Sequence, residues 1–334
     1  MTHRSSHLLV ILLLTSLILL PAAYAVAVRT NNLQAKFLPP EDKVLLIVGQ
    51  DREAIQNYIK KVGVLPAGFT FYTSIQKLDG LREKADYGGG VQHASYLLKR
   101  YPVEVVQIGL YMVGALDGVK NGNFDENIDQ LGKWIKDSRK LVFLRIGYEF
   151  DNPGNHYDPT EYVAAYHHIV DRLRELRVKN VAFVWHSYAS ERKHSLEKWY
   201  PGDDYVDWMA ITYFNPYNTD NMDKVVDYAR SKNKPMMIAE AAPIKMGSTE
   251  GEALWKRWYA FVFDYIKTRN IKAFCYINCN WDNLPMFTKE QWGDSRIEAD
   301  KTVRSRWIET IEDGRFINHS PDLRDFALES KLNL

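Results

Sequence analysis

The strongest constraint on the fold is an eightfold alternation of short apolar runs with polar loops and amphipathic segments. Near-continuous apolar runs of this length are typical of strands covered on both faces, as in a parallel sheet. Eight strand–helix units predict an α/β fold, a single (β/α)8 or TIM barrel, with any active site at the carboxyl ends of its strands. The predicted strands are Val44–Gly49, Phe69–Thr73, Val103–Tyr111, Leu141–Tyr148, Val181–Ser187, Val206–Tyr213, Pro235–Glu240 and Ile271–Asn278.

The segments between the strands carry helix signals. Asp158, Pro159 and Glu161 provide an N-cap, a proline in the first turn and a residue able to close a capping box. Apolar residues then recur at three- and four-residue steps, so we expect the helical aromatic residues to be core. The expected faces are Tyr162, Tyr166, Ile169, Leu173 and Leu176 in one helix and Trp255, Trp258, Val262, Tyr265 and Ile266 in another.

The first 25 residues have the pattern of a secretion signal. Arg4 provides the positive charge, Leu8 to Leu20 form an apolar stretch, and Ala23-Tyr24-Ala25 ends it with small residues. The apolar stretch is shorter than the roughly 20 residues of a spanning helix, although an uncleaved anchor is the alternative. We therefore predict a secreted or periplasmic protein that is not held at a membrane after cleavage.

No change in composition marks a second domain. We predict a signal peptide at 1–25, a leader at 26–42, one barrel at 43–314, a C-terminal tail at 315–334, and a monomer. Cys275 lies in the eighth predicted strand and Cys279 is the residue that follows it. Four extended residues separate them by about 13 Å, too far for a disulfide, so we expect two packed thiols.

Charge and motifs exclude several function classes. The formal net charge is +1, so the surface has no excess of positive charge to attract nucleic acid. Gly88-Gly89-Gly90 lacks the lysine of a phosphate-binding loop, and the chain has no dinucleotide fingerprint and no nucleophile elbow. We predict no cofactor.

A catalytic metal is not predicted either. Asp151, His156 and Asp158 lie in a polar turn, where Asp158 is already explained as a helix cap. His167 and His168 are adjacent on a helix, so their side chains diverge.

Two glutamates carry the functional hypothesis. Glu149 follows the fourth predicted strand and Glu240 ends the seventh. Two carboxyl groups at one end of a barrel can cleave a glycosidic bond, because one protonates the leaving oxygen while the other attacks the sugar. A structural ion pair inside the barrel is the alternative.

Further polar groups are predicted near the same end. Arg145 lies four residues before Glu149 on the same strand and needs a carboxylate partner, for which Glu149, Glu240 or Asp51 are candidates. His186 and Tyr213 end the fifth and sixth strands, and Trp281 follows the eighth. A tyrosine hydroxyl can orient a carboxylate, and an indole can stack on a sugar ring. Packing is the alternative for each residue taken alone.

Three motifs resemble glycoside hydrolase family 26 over roughly residues 140 to 282. They are Arg145-Ile-Gly-Tyr-Glu149, Trp199-Tyr-Pro-Gly-Asp-Asp-Tyr-Val-Asp207 and Ala239-Glu240. The resemblance implies a retaining (β/α)8 glycosidase acting on β-mannan, β-glucan or β-xylan.

The same resemblance implies roles for individual residues. Glu149 would be the acid/base, Glu240 the nucleophile, Tyr213 the partner of the nucleophile, and Trp281 a wall of the sugar site.

Two departures alter the surface that would face the sugar. Tyr148 stands where the family usually has histidine, and Phe150–Tyr157 replaces a Trp-rich loop.

We therefore predict a secreted endo-acting retaining glycosidase whose partner is a polysaccharide or oligosaccharide. Glu149 and Glu240 are the expected catalytic residues, and Arg145, Tyr148, His186, Tyr213 and Trp281 the expected sugar-binding residues. The alternatives are a non-catalytic carbohydrate-binding barrel and a lyase or transglycosylase on the same scaffold.

Overall fold

The computed structural model describes residues 33, 35–190, 195–246, 250–320 and 323. The predicted signal peptide lies outside these residues, as do most of the predicted tail and the first part of the leader. Within the described part of the chain, no helix is long and apolar enough to cross a membrane.

Eight parallel strands form a closed barrel. Each strand pairs with the next along the chain, and the last pairs with the first, which closes the cylinder. The strands are β1 Val44–Gly49, β2 Gly68–Ser74, β3 Val105–Tyr111, β4 Leu141–Ile146, β5 Val181–Ser187, β6 Trp208–Tyr213, β7 Met236–Ala241 and β8 Ala273–Ile277. The predicted barrel is confirmed, and the predicted strand ends differ from these by at most two residues.

The helices lie between the strands. They are α1 Arg52–Val62, α2 Ala94–Arg100, α3 Leu116–Lys120, α4 Asp125–Ser138, α5 Pro159–Glu175, α6 Thr219–Ser231, α7 Glu252–Leu254, α8 Ala260–Thr268 and α9 Lys301–Ile311, with a π-helical turn at Trp255–Tyr259 joining α7 to α8. Between β5 and β6 the described residues form only the 3-10 turn Leu196–Lys198. The prediction of a helix after every strand is therefore wrong for the described part of this connection.

The strands separate two apolar layers. In β6, Trp208 and Ala210 face the barrel interior, whereas Met209 and Ile211 face the surrounding helices. This alternation follows from the two-residue period of a strand.

The outer layer is the larger one and contains the aromatic residues of α5. Tyr162 and Tyr166 are fully buried there, so these aromatics are core, as predicted. The predicted N-cap is also present, since the Asp158 carboxylate accepts hydrogen bonds from the backbone of Thr160 and Glu161.

Two smaller features, a pair of cysteines and a short added strand, are associated with the barrel strands. Cys275 and Cys279 are free, buried thiols, as expected. Phe316–Ile317, within the predicted tail, forms a two-residue strand that pairs in parallel with β1.

Candidate active site

Glu240 reaches the barrel interior through a bulge in β7. Ile211 of β6 pairs with Ile238, but the next pair is Thr212 with Glu240, so Ala239 is an extra residue in β7. Regular alternation after Ile238 would point Glu240 toward the helices. The bulge instead turns the side chain of Glu240 to the interior side of the sheet, where Thr212 also points. Glu240 is only 7% exposed there.

Glu149 reaches the same interior through a turn. β4 ends at Ile146, and both Gly147 and Glu149 have left-handed backbone conformations, with φ of +55° and +54°. A Cβ on Gly147 would lie 2.6 Å from Cε of Met112, so glycine is required there. The carbonyl of Glu149 accepts a hydrogen bond from the Asn152 backbone at 2.9 Å, which holds the turn.

Arg145 is the buried cation between the strand ends. Its Nη1 donates to Oε1 of Glu240 at 2.5 Å, and its side chain is 0% exposed. Burial lowers the pKa of Arg145, but the charge of Glu240 and the hydrogen bond to it outweigh burial and hold that pKa above its usual value. Among the three predicted carboxylate partners, Glu240 makes the ion pair.

Two tyrosine rings enclose the guanidinium. Cζ of Arg145 lies 5.2 Å from the ring centre of Tyr72 and 5.0 Å from that of Tyr148. Gly109 on β3 leaves room for this arrangement, because a Cβ there would lie 2.9 Å from Nη2 of Arg145. Cation–π contacts of this kind stabilise a buried charge and fix its orientation.

A hydrogen-bonded chain runs from Arg145 to Glu149. Nη1 of Arg145 lies 3.2 Å from Nδ1 of His186, and Nε2 of His186 lies 3.1 Å from Oγ1 of Thr212. Because arginine can only donate, Nδ1 accepts and the ring proton is on Nε2. The Thr212 hydroxyl then donates to Oε1 of Glu149 at 2.5 Å.

This series of hydrogen bonds requires the imidazole of His186 to be neutral. Burial, and next the charge of Arg145, hold the pKa of His186 well below its usual value. His186 therefore joins Arg145 to Thr212 without adding a second buried positive charge.

The environment of Glu149 favours its protonated form. Burial, and next the charge of Glu240, raise its pKa to about 8, while Thr212, Asn152 and Arg145 act in the opposite direction. Asn152 donates to Oε2 at 2.9 Å. At neutral pH Glu149 can therefore donate a proton.

Comparisons with known proteins identify the family of this chain. The sequence model described as glycosyl hydrolase family 26 matches residues 153–252. A beta-1,3-xylanase of Vibrio sp is 33% identical over 327 residues, covering 90% of this chain and 71% of that protein. A beta-1,3-xylanase of Alcaligenes sp is 32% identical over 328 residues, covering 90% of this chain and 70% of that protein.

The chain belongs to glycosyl hydrolase family 26. It is thus a glycoside hydrolase, as predicted. A solved structure of a family 26 beta-mannanase from Bacteroides ovatus superposes with a TM-score of 0.62 over 85% of this chain and 93% of that one. At 13% identity this likeness supports the barrel fold alone.

In this family 26 chain, the predicted residues Tyr148 and His186 lie together with Arg145. The ring of Tyr148 stacks on His186, with centres 6.5 Å apart and planes 22° from parallel. Tyr148 is half-buried, whereas His186 is fully buried. Tyr148 therefore has surface left for a ligand, while His186 acts through its neighbours.

The prediction for Tyr213 is wrong in position. Its ring faces the outer layer, 5.9 Å from Trp258 and 5.4 Å from Tyr265 between ring centres. The cause is the strand period, because Thr212 faces the interior and its neighbour Tyr213 must face outward. Thr212 is the β6 residue that contacts Glu149.

Trp281 follows β8 as expected but is covered. It is 1% exposed, and its indole N–H donates to Oγ of Ser295 at 2.9 Å. The rings of Phe287 and Trp292 lie 4.9 and 5.0 Å away, in edge-on contact. In this structure Trp281 has no open face on which a sugar could stack.

Three residues at the site were missed from sequence: Tyr72, Asn152 and Thr212. Thr212 and Tyr72 could have been found by extending the alternation along β6 and β2, since Thr70 and Tyr72 alternate with the outward-facing Phe69 and Phe71. Asn152 lies in a loop, where no periodic signal exists.

Among the described residues, no group of three or more His, Cys, Asp or Glu side chains could hold a metal ion. Two of the residues considered from sequence illustrate other roles. His168 lies 2.6 Å from Oδ1 of Asp125, and Asp151 accepts from Oγ of Ser187 at 2.8 Å.

Proposed function

We propose that this family 26 enzyme is a secreted, retaining endo-β-glycosidase, and that β-1,3-xylan is its substrate. The substrate proposal is supported by two beta-1,3-xylanases that are 33% and 32% identical over 90% of this chain. It narrows the range of β-mannan, β-glucan and β-xylan expected from sequence.

One observation carries the catalytic proposal: the two acids have opposite electrostatic surroundings. Glu240 forms an ion pair with the positive charge of the buried Arg145. Glu149 instead receives hydrogen bonds from the neutral Thr212 and Asn152, and its pKa is raised to about 8. Environments that separate two carboxyl groups in this way assign one as nucleophile and the other as acid.

The proposed reaction has two displacements. Glu240 attacks the anomeric carbon as the bond from that carbon to the leaving oxygen breaks, and Glu149 transfers its proton to that oxygen. A water molecule then gives its proton to Glu149 and attacks the same carbon, which releases Glu240. Two inversions at one carbon return the original β-configuration.

Arg145 supports both steps. Its charge stabilises the Glu240 carboxylate before attack and after release, at the stages when the carboxylate is free. Through His186 and Thr212 it also fixes Oε1 of Glu149, while Asn152 fixes Oε2.

A panel of polysaccharides tests the proposal. We expect the purified protein to release reducing ends from β-1,3-xylan faster than from β-1,4-xylan, β-mannan or β-glucan, with oligosaccharides of several lengths appearing early. Equal or greater activity on mannan would refute the substrate proposal. An unsaturated, ultraviolet-absorbing product end would indicate a lyase. Longer oligosaccharides formed by transfer, without a net increase in reducing ends, would indicate a transglycosylase.

Matched variants test the residue roles. Glu240→Ala and Glu149→Ala should each lower kcat on β-1,3-xylan by at least about 10³-fold, since each removes a group that acts in the reaction. Glu312→Ala, at an exposed position after α9, is the control and should retain activity. An active Glu240→Ala enzyme would reject the assignment.

Secretion is proposed from the pattern of residues 1–25. The first residue of the exported protein, determined by N-terminal sequencing, should be Val26, and a protein still beginning at Met1 would contradict this.

A further inference from the structure

Tyr72 has a buried hydroxyl group that forms no hydrogen bond with the residues the structure describes. It lies near the carboxyl end of β2, on the interior side of the strand. A buried hydroxyl without a partner costs free energy, so such a group in an enzyme site needs an explanation.

The ring of Tyr72 cannot easily turn away to find a partner. It lies over Arg145, and its edge contacts Tyr148 with ring centres 5.6 Å apart. Gly109 is beneath it, where a Cβ would be 2.9 Å from Cδ1 of Tyr72. The backbone N–H of Tyr72 donates to Oε1 of Gln92 at 3.1 Å, which fixes the strand at this point.

Tyr72 lies next to the ion pair of the proposed nucleophile, because its ring contacts the guanidinium that binds Glu240. Burial, and next the charge of Glu240, hold the pKa of Tyr72 well above its usual value. Tyr72 and Glu240 also share Arg145 as a common neighbour. Tyr72 is therefore a neutral hydrogen-bond donor beside the Arg145–Glu240 ion pair.

We propose that the Tyr72 hydroxyl hydrogen-bonds a hydroxyl group of the sugar that Glu240 attacks, and that this contact exists only in the substrate complex. This inference rests on the proposed function. A hydrogen bond gained only with substrate stabilises the bound states at no cost to the free enzyme beyond the unpaired group already present. Tyr72 is then a substrate-binding residue on β2, a strand that supplies neither of the two acids.

The test is Tyr72→Phe, which removes one oxygen and keeps the ring over Arg145. We expect kcat/KM on β-1,3-xylan to fall 10- to 100-fold, while Tm stays the same or rises because an unsatisfied buried group is lost. Tyr101→Phe is the matched control, since Tyr101 contacts Phe69 on the outer side of β2. It should keep wild-type kcat/KM.

A binding measurement separates this inference from the catalytic proposal. In Glu149→Gln enzyme, calorimetry with a β-1,3-xylo-oligosaccharide should show at least 10-fold weaker binding when Tyr72→Phe is added. If wild-type enzyme cleaves xylan and Tyr72→Phe cleaves and binds equally well, the Tyr72 contact is wrong and the proposed function stands. If Tyr72→Phe weakens binding but wild-type enzyme cleaves no β-linked polysaccharide, the contact stands and the proposed function fails.

A loss of activity caused by a displaced Arg145 would have a different signature. It would shift the pH profile that Glu149 controls and lower Tm. Either change in Tyr72→Phe would overturn the inference, because it would show that the hydroxyl serves the fold and not the sugar.

Discussion

The two glutamates have nearly equal burial but differ in the charge of their partners. Glu240 is 7% exposed and Glu149 is 8% exposed. Glu240 contacts the cation Arg145, whereas Glu149 contacts the neutral Thr212 and Asn152. Burial penalises both charges, and only Glu240 has a direct cationic partner to offset that penalty. At neutral pH Glu149 therefore keeps its proton next to the ion pair of Arg145 and Glu240.

The pH profile follows from this division. The proposed reaction requires protonated Glu149, whose pKa is raised to about 8, so kcat/KM should fall as pH rises through about 8. A carboxyl group with an ordinary pKa would lose its proton near pH 4.5 and leave little acid catalysis at pH 7. Initial rates at low substrate concentration from pH 5 to 10 measure this limb.

Removing the charge of Glu240 provides the control. Since that charge is the second cause of the raised pKa, Glu240→Gln should lower the pKa of Glu149, which carboxyl-selective infrared difference spectroscopy can follow. A pKa of Glu149 that stays the same or rises in Glu240→Gln would contradict the coupling between the two acids.

At the scale of one strand, a single extra residue determines the site. The bulge at Ala239 points Glu240 inward, and the regular alternation of β6 points Thr212 inward and Tyr213 outward. Two adjacent residues of β6 thus have different expected roles, although each carries a hydroxyl group.

Substitutions on β6 should separate these roles. Thr212→Val removes the donor to Glu149 and the acceptor for His186, so kcat should fall about 10- to 100-fold, which corresponds to about 1–3 kcal/mol for an unpaired buried group. The pKa of Glu149 should rise, because Thr212 lowers it. Thr212→Ser keeps the hydroxyl and should recover most of kcat.

Tyr213→Phe is the neighbouring control and should change kcat less than about 2-fold, as expected for a side chain outside the site. Steady-state kinetics of Thr212→Val, Thr212→Ser and Tyr213→Phe measure these differences in kcat. A large loss in Tyr213→Phe together with a small one in Thr212→Val would show that the assigned orientation of β6 is incorrect.

The elements differ in how far sequence could predict them. The strand positions were predictable because apolar runs and turn residues are local signals, and Glu149 and Glu240 were recognisable at strand ends. The inward direction of Glu240 depends on the bulge, which only the pairing with β6 and β8 reveals. Tyr213 was misplaced because its position at the end of a predicted strand does not show which side of the strand it faces.

At the scale of the whole molecule, barrel closure brings distant segments together. Glu149 follows β4, Glu240 lies on β7, and Tyr72 lies on β2, which pairs with neither β4 nor β7. The loops after β2 and β8 meet above β1, where the carbonyl of Gly88 accepts from the Met286 backbone at 3.0 Å. On another part of this rim, Tyr111 and Tyr188 are exposed at the ends of β3 and β5. A polysaccharide chain of the proposed substrate could approach the site there.

Trapping the glycosyl-enzyme tests the central claim most directly. A 2-deoxy-2-fluoro β-xylo-oligosaccharide with a good leaving group should label the enzyme once. The fluorine slows both the formation and the hydrolysis of the intermediate, whereas the good leaving group speeds only its formation, so the intermediate accumulates. Peptide mass spectrometry should detect one sugar adduct, on Glu240. The same adduct should be absent from Glu240→Ala. An adduct on Glu149 or another residue, or products of inverted configuration without any adduct, would contradict the proposal that Glu240 attacks and Glu149 supplies the proton.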